Sequence, residues 1–173
     1  PRSYAKKNIV NDLIEKLTSY NLFNYLLPGT IFSVLADSFT HYHFLQSDLF
    51  VAFFAYYFTG MVISRLGSLV VEPCLKKFNF VEFASYKDFV QSSANDDKLS
   101  ILSESNNTYR TITTVFLAIG ILKLVELLLN QFSIPDWLPP ILLCVFLFGL
   151  FLMAYRKQTA YIKQRVDANR DQS

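Results

Sequence analysis

The chain has 173 residues, of which 52% are hydrophobic, 16% aromatic and only 17% charged, with a mean hydropathy of +0.28. A soluble domain carries about a quarter charged residues, so a surface solvated on all sides is not expected, while disorder would need low hydrophobicity and high charge. The 5 Gly and 6 Pro exclude a collagen-like or low-complexity chain, and a net charge of +2 is too small to argue for nucleic acid.

Residues 1–19 read as an N-terminal amphipathic helix. Ile9, Val10, Leu13, Ile14 and Leu17 form one stripe, with Lys6, Lys7, Asp12, Glu15 and Lys16 around the rest. Such a helix is expected on the membrane surface or against the rest of the protein. It lacks the continuous apolar core of a cleavable signal peptide, so the spans are expected to insert as signal anchors.

Residues 20–71 read as a first transmembrane hairpin. Its first span, Tyr20 to Phe39, is interrupted by Pro28-Gly29, where a kink or short break is expected because proline removes a helical hydrogen bond. The second, Asp48 to Val71, supplies the roughly 20 apolar residues needed to cross the hydrocarbon. Glu72-Pro73 marks its inner boundary as a kink rather than a full stop.

Residues 72–110 carry charges of both signs and read as a cytoplasmic loop with a helical stalk. Tyr86 to Gln91 is expected to be a short helix. Asn95, Asp96 and Asp97 look like an N-cap, opening one helix from about Asp97 to Gln131. At 1.5 Å per residue this helix is roughly 50 Å long, so its first part projects beyond a ~30 Å hydrocarbon core.

Residues 111–155 form the second hairpin, with spans at Thr111 to Leu129 and Trp137 to Tyr155. The run Ile134-Pro135-Asp136-Trp137, followed by Pro139-Pro140, gives the turn and the next helix start. The last helix is expected to continue into the basic tail, 156–173, with Arg156, Lys157, Lys163, Arg165 and Arg170 along an aqueous extension. The overall expectation is an all-α, four-helix transmembrane bundle with cytoplasmic helical extensions.

Charge placement orients it. The loops Thr40 to Ser47 and Asn130 to Pro140 contain no Lys or Arg. Every Lys and Arg except Arg65 and Lys123 lies in the N-terminal stretch, the middle loop or the tail. Positive residues favour the cytoplasmic side, which puts both termini and the middle loop there. Trp137 and Tyr155 sit near opposite ends of the last span, where interfacial aromatics belong.

Four ionisable residues break the apolar pattern. Arg65 lies just inside the cytoplasmic boundary, where it either snorkels or pairs with an acid, or contacts a lipid phosphate or an aqueous cavity. Lys123 and Glu126, at i,i+3 within the third span, share a face and compensate each other, or else face a water-filled path or another subunit. Asp37, with Ser38, is a candidate neighbour of that pair near the outer end of the first span. Gly60, Ser64 and Ser68, with Gly67 beside them, make a small-xxx-small face for helix packing, within one subunit or between two.

Nothing indicates an enzyme: there is no GxSxG, HExxH or P-loop, and no cofactor or metal is implied. His41 and His43, two apart in an irregular loop, read as interfacial residues. The topology puts Cys74 and Cys144 in different compartments, so a disulfide is not expected.

The stretch Gly60 to Pro73, GMVISRLGSLVVEP, with Ser103 to Thr111, SESNNTYRT, resembles a group of small four-span bacterial inner-membrane proteins. Proteins of this architecture include membrane subunits of anti-phage defence systems, such as the membrane component of the Kiwa system. The resemblance implies the bacterial inner membrane as location and raises defence as a context. Two functional expectations follow from the residues. One is a homo-oligomeric effector or sensor that perturbs the lipid bilayer or forms a pore or channel in it. The other is an anchor that recruits a cytosolic protein through 72–110 and 156–173. Direct nucleic-acid binding is not expected.

Overall fold

The computed structural model describes residues 22–170 apart from 94, 133 and 136. The expected amphipathic helix over 1–19 and the start of the first span at Tyr20 lie outside the described residues. The described residues are all-helical, 83% of them in helix, with no strand among them.

Helix α1 joins a wide π turn, Leu22–Leu26, to the α-helix Leu27–Phe39. Helix α2 runs Leu49–Lys77, with a second wide turn at Gly67–Val71 before its last segment, Glu72–Lys77. Helix α3 is Tyr86–Ser93, α4 is Lys98–Gln131 and α5 is Leu138–Arg170.

The two wide turns share a cause. Pro28 and Pro73 each follow the end of one by two residues. A proline ring clashes with the turn before it and donates no N–H. Widening that turn gives the ring room, and the Glu72 N–H accordingly donates to the Gly67 carbonyl, five residues back. Of the kink or short break expected at Pro28-Gly29, the break is absent: α1 is continuous through it, with the wide turn just before it. At Pro73 the helix likewise continues, as far as Lys77.

Local chemistry sets the helix starts. The Asp48 carboxylate caps α2 by accepting the Val51 N–H at 2.9 Å. At α4 the cap falls on Asp96, which accepts the Lys98 N–H at 2.9 Å, while the Asp97 side chain makes no cap bond. Ser85 Oγ accepts the Asp88 N–H at 3.2 Å as the N-cap of α3 and donates to the Asp88 carboxylate.

Three helices, Leu49–Lys77, Lys98–Gln131 and Leu138–Ala168, are long and apolar enough to cross a membrane. The buried core belongs to α1, α2 and α4: Phe32 and Ala36, Ile63, and Val115 meet there, with Phe44 of the 40–48 loop edge-on to Phe32. Helix α5 stands to one side. Only 6% of its most apolar stretch is buried. It touches α2 through the Phe58–Phe151 rings, 6.0 Å apart, and α3 through Tyr86–Tyr161, stacked at 5.6 Å.

Candidate functional site

The small residues of α2 are spent on three different neighbours within the chain. Gly60 lies against Gly29: a Cβ on Gly60 would sit 3.0 Å from the Gly29 nitrogen, and one on Gly29 would sit 2.8 Å from the Gly60 nitrogen. Ser64 accepts a hydrogen bond from Thr111 Oγ1 at 3.5 Å on α4. Gly67 leaves room for Thr114 and Arg110 of the same helix. Ser68 receives Lys157 of α5, whose ammonium donates to its carbonyl at 2.7 Å and its hydroxyl at 2.8 Å. The face is thus a meeting line for α1, α4 and α5.

One turn further along α2, Glu72 is buried. Three cations converge on it. Arg110 of α4 donates to Oε2, Lys76 donates to Oε1 at 3.1 Å, and the Lys157 ammonium lies 3.7 Å from Oε1. Lys76 also lies 3.9 Å over the Phe83 ring. One carboxylate faces three positive groups, so the cluster keeps an excess of positive charge. Lys157, expected along an aqueous extension, is instead half-buried and ties α5 to α2. Buried Arg110 Nε has no hydrogen-bond partner.

Arg65 sits two turns before Glu72 on α2. Its guanidinium donates to the Tyr25 hydroxyl at 3.5 Å, a neutral partner from α1. It also lines a cavity of about 20 Å³ with Ser68, Lys157, Gln158 and Tyr161, between α2 and α5.

At the opposite end of the helices, Lys123 donates to Glu126 Oε1 at 3.0 Å. Glu126 is buried, and its second oxygen accepts the His41 backbone N–H at 3.4 Å, with the imidazole 3.6 Å from the first. Asp37 does a parallel job without joining that pair. It accepts the N–H groups of Phe44 at 3.1 Å and Leu45 at 3.5 Å, and lies 3.8 Å from His43. Ser38 donates back to the Val34 carbonyl at 2.8 Å. Both carboxylates therefore hold the 40–48 loop onto the helix ends. Cys74 and Cys144 are free and exposed.

The cluster around Glu72 went unread in the sequence, where Glu72 marked a boundary and Arg110 and Lys157 counted as loop and tail charges. A usable signal was the i,i+4 pair Glu72–Lys76 at the end of a long apolar helix. Gly29 was read only as part of an interruption. Its spacing of four to Ser33, both buried, repeats the Gly60–Ser64 spacing on α2 and marks the second half of the contact.

The chain matches no family model, no curated protein and no solved structure.

Proposed function

We propose that this is a four-pass membrane protein whose middle loop and termini face the cytoplasm, and that it acts by self-association in the membrane as a sensor or effector. The observation that carries the reading is the matched placement of charge on the helices. Residues 49–64 of α2 and 138–155 of α5 carry no charge, runs of roughly 24 and 27 Å against a hydrocarbon core of ~30 Å. On α4 the uncharged run 111–122 ends at Lys123, which is neutralised by Glu126. The Glu72 cluster then lies at one face and the Asp37 and Glu126 carboxylates at the other. All Lys and Arg near the helix ends except Lys123 are on the Glu72 side, which supports that side as cytoplasmic.

The uncharged 138–155 segment of α5 finds little cover within its own chain, which leaves its face open to lipid or to a second copy of the chain. In liposomes the purified protein is expected to pass ions and to run as a defined oligomer on native gels. Silence in the flux assay together with a monomer on the gels overturns the effector reading.

A second reading has its own observation. Phe78 and Phe80 in the middle loop are exposed at 74% and 77%, beside Phe83. Aromatic residues at an aqueous face suit a protein contact, which supports an anchor for a cytosolic partner. Under that reading a partner co-purifies, and deletion of 78–84 abolishes its recovery.

A further inference from the structure

We infer that the seam between α2 and α5 is a binding site for an anionic phospholipid, with its phosphate at Arg65 and Lys157 and an acyl chain along Phe58, Phe148, Phe151 and Tyr155. The inference rests on the membrane reading above.

The seam has two parts in line. The first is the cavity of about 20 Å³ lined by Arg65, Ser68, Lys157 and Tyr161, room for one water-sized group such as a single phosphate oxygen. The second lies toward the middle of the same two helices. It is a shallow, open depression of about 390 Å³ formed by Leu147, Phe148, Phe151, Leu152 and Tyr155 of α5 with Phe58 of α2 at its side, almost entirely apolar. A polar head followed by an apolar trough is the shape of a phospholipid.

Charge selects its type. Among Arg65, Lys76, Arg110 and Lys157, the acid in contact is Glu72, and it is shared by the last three. Arg65 meets a neutral tyrosine hydroxyl. The polar part of the seam is therefore positive and unbalanced, and a phosphodiester supplies the missing charge. Arginine also offers a planar fork of donors that suits phosphate. The occupant explains why α5 packs loosely on α2: the helices are pinned at Lys157–Ser68 and at Phe58–Phe151, and the space between and beside these pins is left for the lipid.

The test is native mass spectrometry of the full chain in detergent, titrated with dioleoyl phosphatidylglycerol or with dioleoyl phosphatidylcholine, whose chains are identical. The expected result is a saturable adduct of the anionic lipid at about tenfold lower concentration than the zwitterionic one. Each cation near a bilayer contributes about 1 kcal/mol toward anionic lipid. Arg65→Gln and Lys157→Gln should thus each weaken the phosphatidylglycerol adduct about fivefold, Arg65→Lys should largely restore it, and exposed Lys163→Gln should leave it unchanged. Leu152→Trp, which fills the depression, should weaken both lipids. Helicity by circular dichroism confirms that each variant is folded. Equal affinity for the two lipids overturns the inference, as does full displacement by inorganic phosphate, or a second copy of the chain that occupies the seam and excludes lipid. Release of the protein from membranes by alkaline carbonate would instead sink the membrane reading itself.

Discussion

Gly29 and Gly60 face each other where α1 crosses α2, each so close to the other helix that a methyl group on either would strike its backbone. Close backbone approach of this kind replaces the hydrophobic driving force that helices lack in lipid. A clash with a flexible side chain can relax, but a clash with main chain must push the helices apart. Gly60→Ala is expected to cost about 3 kcal/mol, the upper end for overpacking, and Gly29→Ala a similar amount. Gly149→Ala, with nothing within 4 Å of its added carbon, should be neutral. Unfolding in a mixed detergent series followed by circular dichroism distinguishes them. Equal stability of all three variants would mean that the crossing is looser than described.

Among the described residues Glu72 is the acid that pairs with Lys76, Arg110 and Lys157, which come from three parts of the chain. Removing one member of a buried ion pair costs about 3–5 kcal/mol because the partner is left uncompensated. Glu72→Gln is expected at about 3 kcal/mol, since half-exposed Lys76 can turn to water. Adding Lys157→Met should recover part of that loss, so the double variant costs less than the sum of the singles. Additive costs in the same unfolding assay would show that the cations do not share the carboxylate.

This cluster also marks where sequence reading ran out. Hydropathy and capping residues located two helices to within two residues: α4 was expected from about Asp97 to Gln131 and runs Lys98–Gln131, and the short helix expected at Tyr86 to Gln91 runs to Ser93. The spacing of Lys123 and Glu126 placed them on one face because three residues is nearly one helical turn. Such patterns are local. The meeting of Glu72 with Arg110, 38 positions on, and of Lys157 with Ser68, 89 positions on, depends on which helix ends converge. No periodicity encodes that convergence. The same holds for Gly29 and Gly60: each helix carried a small-residue spacing, but their pairing is a property of the crossing.

At the other end, Asp37 and Glu126 act as separate fasteners of one loop. Glu126→Leu removes the acceptor of the His41 N–H and the partner of Lys123. A hydrogen bond to a charged group contributes about 1.5–3 kcal/mol, so amide exchange at His41 should quicken at least tenfold. Asp37→Leu should release Phe44 and Leu45 and leave His41 unchanged. Lys123→Gln, on a side chain 41% exposed, should have the smallest effect. Hydrogen exchange across 40–48 in detergent reads all three, and a single variant that loosens the whole loop would show one coupled unit.

The docking of α3 on α5 depends on Tyr86 and Tyr161, whose rings stack at 17° with centroids 5.6 Å apart. Val90 is the buried residue of α3, and the stack is the ring contact that ties this short helix to α5. An aromatic pair contributes about 0.5–1.5 kcal/mol beyond the area it buries. Tyr161→Ala is therefore expected to speed amide exchange over 86–93 by about three- to tenfold, while Tyr161→Phe keeps the stack and the protection. Phe151→Ala removes the separate contact of α5 with Phe58 and should leave α3 as protected as before. Equal loss of protection in the Phe151 and Tyr161 variants would mean that α3 follows the position of the whole of α5 rather than this one stack.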